Sequence, residues 1–367
     1  MIRPNASPAG DDRPVVVVTS SSGLTGQAVV RRLAARCRVL GLGRVEPTTL
    51  IEGVEHLPCD ITAERSLAEA MALVHRLAGD RLASVVHLAE DHAGDEAARR
   101  VFEHARPLAP RQFIYTSTML VHASCEPGQR IDEHWPIEPR DARGRSAAAA
   151  ERWLGEHGGA TPTVTLRLAD LYDDVCHAPS LARQVQRIYE RQMLAEVYPG
   201  NVAHGRAMLH RDDLAEALEC VIGRRDALPE YGVLLVGEPE TLSYGRIQQR
   251  VAWQLYGQAW TTQSIPKSRA KAGAWVRGRV PVGEEPFVVG EAIDHVDDHY
   301  SLDISRAQAW LDWQPRRRLS EALRTIVQML QADPVAWYRE HGLPMPGWLE
   351  ESARTRSTAL FPPPTGE

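Results

Sequence analysis

The residues best placed to do chemistry come early in the chain. The apolar run Val15–Val18 leads into Thr19-Ser20-Ser21-Ser22-Gly23-Leu24-Thr25-Gly26, and helical spacing follows. Gly23 would let the backbone approach a pyrophosphate, and Gly26 would let the helix pack close to the strand. The helix N-terminus would offer N–H groups and partial positive charge to the phosphates. Thr19, Ser22, Leu24 and Thr25 complete this candidate cradle. The competing reading is a βα turn with no ligand, and the strand–turn–helix context weighs against it. A second cluster, His87, Glu90, Asp91 and His92, lacks the spacing of a zinc site, so no metal is expected.

The elements that must position these residues alternate regularly. Buried-strand patterns cover Val15–Val18, Arg38–Leu42, Leu82–Leu88, Phe113–Ser117 and Thr163–Leu168. Helical patterns cover Gln27–Cys37, Thr62–Leu77, Ala97–His104 and Ser146–Glu156. This alternation predicts an α/β fold, a Rossmann-like doubly wound parallel sheet. After about Tyr172 the pattern is less regular. Helices are expected over Leu181–Glu190, Asp212–Ile222, Leu242–Tyr256 and Ser320–Ala332, with a strand over Gly232–Val236. The expected organisation is a mobile tail (1–12) and a dinucleotide-binding domain (13–175, with 205–237 returning to it). A smaller C-terminal substrate-binding lobe with an extension (176–204 and 238–350) and a second tail (351–367) complete it. The segment Ser264–Glu291 reads as an exposed loop or a mobile element.

Composition excludes several functions. With 367 residues, 43% of them hydrophobic, the chain can bury a substantial core. A net charge of -6 leaves no basic footprint for nucleic acid and no polybasic membrane patch. No apolar run approaches the ~20 residues that span a bilayer. The five scattered cysteines form no CxxC pair, and the first residues lack the apolar stretch of a secretory signal, so a reducing, cytoplasmic location is expected. Lys267 and Lys271 are the only lysines.

Further stretches, taken together, resemble the extended short-chain dehydrogenases, the NAD-dependent epimerase/dehydratase family. The glycine turn is similar to TGxxGxxG, with Ser20 at the first glycine, where it must avoid a positive φ or accept strain. Asp60-Ile61 resembles the pair beside the adenine ring, and Val86-His87-Leu88-Ala89 resembles a strand end reading HLAA, with Glu90 in place of the last alanine. Thr165–Tyr172 is similar to RPxNVY, Arg206–Ala215 to RDYIHVDDLA, and Ser301–Pro315 to the family's closing element. The likeness runs from about Val15 to Ile326. It implies a dinucleotide held by the cradle and by Asp60, Ile61, Leu88, Ala89, Thr116 and Leu168. It also implies a small-molecule substrate, of nucleotide-sugar type, reached by Glu90, Asp170 and Arg206, and a homodimer. The matching arginine in the family holds a diphosphate; an ion pair within the lobe is the other reading of Arg206.

Two departures from the family pattern matter. Gly43 stands where NAD-preferring members carry an acidic residue, and Arg44 follows it. A 2′-phosphate is then not repelled, and an arginine fork can hold it, so NADP(H) is expected with NAD(H) as the alternative. A solvated loop arginine is the other reading of Arg44. The family's chemistry also uses a Tyr and a Lys four residues apart near a Ser/Thr. Ser117-Thr118 matches the hydroxyl pair, with Thr118 at the catalytic position. In the stretch similar to PxxxYGxSK, starting at Pro139, Arg143 replaces the tyrosine and Ala147 the lysine. An arginine cannot cycle a proton, and an alanine supplies no charge. A 4,6-dehydratase is further disfavoured, because Met119-Leu120 replace Asp-Glu after the threonine.

Three readings stay open. The chain binds NADP(H) without turnover, as a sensor or scaffold. Or substitute groups such as His122, His87, Glu90, Asp170 or Asp173 act as acid/base near neutral pH. Or a partner or a conformational change completes the site. For His122 the alternative is a structural histidine.

Overall fold

The computed structural model describes residues 12–47, 49–89, 94–271 and 290–351. Seven strands form one parallel sheet. Numbered along the chain they are β1 (Val15–Val18), β2 (Arg38–Gly43), β3 (Val54–Pro58), β4 (Leu82–Leu88), β5 (Phe113–Thr118), β6 (Thr163–Leu168) and β10 (Tyr231–Val236). Their order is β10-β6-β5-β4-β1-β2-β3, and each neighbouring pair is parallel. The order reverses between β1 and β4, which opens a crevice at their carboxyl ends. This is the Rossmann-like fold that the alternation predicts.

Side chains alternate across the sheet and feed two cores. Val16 and Val18 face α1 (Leu24–Ala34) and α6 (Arg211–Gly223). Val15 and Val17 face α2 (Glu64–Ala78), α3 (Gly94–Ala105) and α4 (Ala142–His157). A third core joins α5 (Pro179–Tyr189), α7 (Tyr244–Tyr256), α9 (Leu319–Ala332) and α10 (Pro334–Glu340). Helix α8 (Ser305–Leu311) buries Ala307 and Leu311 in the first core. In α10, Trp337 and Tyr338 are buried, and the Tyr338 hydroxyl donates to Glu190 Oε1 at 2.6 Å. Two short parallel pairs remain: β7 (Asp170–Tyr172) with β9 (Met208–His210), and β8 (Val197–Pro199) with β11 (Gln263–Ile265).

Several boundaries differ from the sequence expectation. Helix α1 starts at Leu24 rather than Gln27, because Gly23 already serves as its N-cap. Helix α4 starts at Ala142, four residues earlier than its apolar pattern, because Asp141 caps it by accepting the Gly144 N–H at 2.6 Å. Strand β3 was not expected: VEHLP has little apolar pattern, and pairing with β2 makes it a strand. Of the segment Ser264–Glu291, residues 272–289 lie outside the described residues, as do 1–11 and 352–367.

Two glycines let helices come close to the turns that carry the site. A Cβ on Gly26 would lie 2.1 Å from the Ser20 carbonyl oxygen. Ser20 itself adopts φ +53°, so it takes the strained conformation its position required. A Cβ on Gly144 would lie 2.3 Å from the Leu120 carbonyl oxygen, so α4 rests directly on the turn after β5. Gly144→Ala should therefore lower stability by about 1–3 kcal/mol through overpacking. An unchanged denaturant midpoint would show that α4 is free to retreat.

Candidate active site

A cleft of about 680 Å³ opens at the carboxyl ends of β4 and β5. Its sheet-side wall includes Leu88, Ala89, Thr116, Ser117 and Thr118. Arg143 and Ala147 face it from α4, and Asp170, His177, Arg206 and Arg211 close the far side.

The glycine turn is tied to this wall. Thr19 Oγ1 accepts the Leu88 N–H at 3.1 Å and lies 2.9 Å from His87 Nδ1. Burial pushes His87 down to about 4, so the ring is neutral, and it stacks on Tyr115. The N-cap of α1, Gly23, makes no side-chain cap, and the first turn holds no acid. The leading N–H groups of Leu24, Thr25 and Gly26 are thus left for an anion. Ser22 turns its carbonyl to Gln27 Nε2 at 3.0 Å, and the buried Ser21 Oγ has no hydrogen-bond partner among the described residues. A turn with uncapped N–H groups at a helix N-terminus fits a dinucleotide pyrophosphate.

The stretch expected beside an adenosine is closely packed. A Cβ on Gly43 would lie 2.6 Å from Ser22 Oγ, so this position has no room for a carboxylate side chain beside the turn. Arg44 is exposed just after it. Asp60 Oδ1 accepts the Thr62 hydroxyl at 2.6 Å and the Thr62 N–H at 2.9 Å, which holds the carboxyl below its usual range. Ile61 lines the cleft. Thr116 Oγ1 accepts the Ala89 N–H at 3.0 Å and fixes the end of β4. Leu168 is buried in the first core, paired with Thr118 in register, and does not line the cleft.

A buried network orients α4. Glu151 accepts from Ser117 Oγ at 2.5 Å and from Arg167 Nη2 at 2.6 Å, and both charged groups are almost fully buried. Arg167 Nη1 donates to His122 Nε2 at 3.0 Å, so His122 Nδ1–H donates to the Trp135 carbonyl, 3.0 Å away. This corrects the expectation for His122. It is fully buried outside the cleft lining, and desolvation, helped by Arg167, pushes it to about 4. It is a structural histidine. Thr118 Oγ1 accepts the Leu120 N–H at 3.3 Å, which leaves its own proton free to donate into the cleft. Arg143 is exposed and makes no ion pair or hydrogen bond with any described residue.

On the far side, Arg206 Nε lies 2.8 Å from Asp170 Oδ2. Desolvation opposes the guanidinium charge, but Asp170 together with Tyr244, Tyr300 and Asp141 outweighs it, and the pKa is raised. The ion-pair reading of Arg206 is thus seen, and the same guanidinium lines the cleft. Sequence reasoning missed Arg211 and His177. Arg211 donates to Thr25 Oγ1 at 3.2 Å, to Asp173 Oδ2 at 2.7 Å and to the His177 carbonyl at 2.8 Å. His177 Nδ1 lies 2.8 Å from the same Asp173 oxygen. Two signals were available: an Asp and a His four residues apart, and an arginine where RDYIHVDDLA has valine. Glu90, with Asp91 and His92, lies outside the described residues.

The model of the NAD dependent epimerase/dehydratase family matches residues 16–237. A search of curated proteins finds no match. Solved structures agree in fold. The UDP-glucose 4-epimerase of Thermus thermophilus in complex with NAD is 20% identical, with a TM-score of 0.64 over 87% of this chain and 99% of that one. The dTDP-glucose 4,6-dehydratase of Bacillus anthracis in complex with NAD is 14% identical, with a TM-score of 0.67 over 89% and 99%. The UDP-N-acetylglucosamine 4-epimerase of Methanobrevibacter ruminantium, in complex with UDP-N-acetylmuramic acid, is 15% identical, with a TM-score of 0.63 over 87% and 99%.

Two tests follow from the buried network. Arg167→Met should cost about 3–5 kcal/mol, because Glu151 is left as an unpaired buried charge. A loss under about 1 kcal/mol in chemical denaturation, the value of an exposed pair, would show that water already reaches the pair. Burial pushes His122 and His87 down to about 4 in the folded protein, below the 6.5 of a free imidazole. Between those pH values the unfolded chain binds more protons, so stability is lost as pH falls through the window. In His122→Gln the stability-against-pH slope should be shallower there, and an unchanged slope would place the His122 ring in water.

Proposed function

Because the chain belongs to the NAD-dependent epimerase/dehydratase family, we propose that it binds a nicotinamide dinucleotide and acts as an epimerase or oxidoreductase on a nucleotide-linked sugar or a related hydroxyl/carbonyl compound. The observation that carries this reading is the joining of cradle to cleft. Arg211 lines the cleft and reaches Thr25 in the first turn of the uncapped helix α1. A pyrophosphate on that helix would lead its nicotinamide into the space beneath Thr118 and Arg143. When bound, the dinucleotide supplies a hydride acceptor or donor.

The chain's own residues do the rest. The α1 N–H groups hold the pyrophosphate, Asp60 and Ile61 flank the adenine, and Arg44 takes a 2′-phosphate, which makes NADP(H) the preferred form. Arg206 holds the diphosphate of the substrate, as a planar donor set suits it to do. Thr118 donates to the reacting oxygen, and Arg143 offers fixed positive charge as that oxygen becomes negative. Met119 and Leu120 are buried and apolar, so they supply no acid for dehydration. The relatives known by structure include enzymes named for UDP-glucose and UDP-N-acetylglucosamine, which supports the substrate class. The proposal includes a cytoplasmic homodimer; five free cysteines, and no described helix long and apolar enough to cross a membrane, agree with that location.

A second reading, a non-catalytic NADP(H)-responsive sensor or scaffold, is favoured by one observation. Arg143 and Ala147, which line the cleft from α4 at the positions of the family's tyrosine and lysine, cannot exchange a proton at neutral pH.

Fluorescence titration with NADPH and NADH tests the common ground, with tighter NADPH binding expected. Arg44→Asp should reverse the preference, and an unaltered affinity ratio would remove Arg44 from cofactor recognition. With UDP-glucose as the first substrate, Thr118→Ala should reduce kcat by roughly 10²-fold. Binding without any turnover by the wild type would favour the sensor reading.

A further inference from the structure

The cleft holds few groups able to exchange a proton. Its three arginines stay charged. Asp170 is committed to Arg206. His87 is sealed from solvent and neutral, and burial pushes the Tyr115 phenol up. His177 is the one cleft-lining imidazole among the described residues that keeps some exposure, 16% of its side chain.

The setting of His177 is built around one carboxylate. Asp173 Oδ1 accepts the N–H groups of Val175 at 3.2 Å and His177 at 2.9 Å. Its Oδ2 meets His177 Nδ1 at 2.8 Å and Arg211 Nη1 at 2.7 Å. The residue just before His177, Cys176, is buried at φ +74°, a conformation that costs a non-glycine residue about 1–3 kcal/mol and persists only when its surroundings enforce it. The loop thus pins Nδ1, and Nε2 becomes able to accept a proton once the Glu340 carboxylate moves off it. Nε2 meets only Glu340 Oε1, at 2.9 Å, and that side chain on α10 is 56% exposed and easily displaced. The charged and titratable groups facing the ring are Asp173 on its own loop, Arg211 on α6, Glu340 on α10 and His341 just after it.

We propose that His177, oriented by Asp173 and Arg211, exchanges the proton of the substrate hydroxyl in place of the tyrosine absent from α4. The inference rests on the proposed function, which supplies the nicotinamide dinucleotide as hydride acceptor. In the oxidative direction the substrate O–H bond breaks and its proton goes to Nε2. The electron pair left on oxygen forms the second carbonyl bond as the carbon's hydride departs. The imidazolium lies between Asp173, which also faces Arg211, and Glu340, so the two carboxylates share two cations, and the reductive direction returns the proton. Arg211 is a positioning residue that locks this dyad to Thr25, on the helix that carries the cradle.

Diethyl pyrocarbonate acylates accessible neutral imidazoles, and peptide mass spectrometry separates His177 from His341. In the full-length protein His177 should be acylated while His87 and His122 resist. Glu340→Gln, at an exposed position, should speed acylation of His177. NADP⁺ with UDP-glucose should slow it several-fold. An unreactive His177, or one unprotected by ligands in a sample that binds NADPH by titration, would overturn the inference. A sample that binds no dinucleotide but acylates His177 would overturn the proposed function instead. Where UDP-glucose is turned over, His177→Gln should lower kcat by roughly 10²–10⁴-fold with NADPH affinity retained, and full activity in that variant would likewise overturn the inference.

Discussion

The ion pair between Glu151 and Arg167 is the constraint on which the site depends. Both groups are nearly sealed from water, so each requires the other. Such a pair adds little net stability, since desolvation offsets most of its attraction. What it supplies here is orientation. Glu151 must face β6, and Arg143 and Ala147 lie eight and four residues before it on the same helical face. Their exposure to the cleft follows from the pair. Ser117 and His122 serve the same end, each giving a hydrogen bond or a lone pair to the charged groups.

Helix α4 therefore keeps the parts that place it while lacking a phenol and an amine where the family has them. Gly144 preserves close contact with the turn after β5, and Ser146 Oγ accepts the Asp95 N–H at 2.7 Å at the start of α3. Packing and proton chemistry are separable because they fall on different atoms of the same helix. The first depends on the absence of a Cβ and on one hydroxyl. The second depends on side chains that point into open space.

The electrostatics of the cleft divide in the same way. Arg206 and Arg211 are neutralised by Asp170 and Asp173, so they give direction more than net charge. Arg143 has no such partner among the described residues, and α1 presents an uncapped N-terminus. The charge left unbalanced is positive, which suits a ligand carrying phosphates.

The sequence by itself determined six of the seven sheet strands, their alternation with helices, and the glycine turn, because these follow from local apolar period and from glycines within a few residues. It also located Thr118, Arg143 and Ala147, through motif spacing along one strand and one helix. It overstated His122, since a histidine's role depends on whether water reaches it, and only the packed sheet shows that Arg167 and Trp135 claim both ring nitrogens. It missed β3, a polar edge strand made by its neighbour. It also passed over Arg211 and His177. The meaning of Arg211 lies in its contact with Thr25, 186 positions away, and that of His177 in its contacts with Asp173 and with Glu340 on α10. Local pattern encodes elements; only tertiary structure decides which distant side chains share a carboxylate, because that depends on how the elements meet.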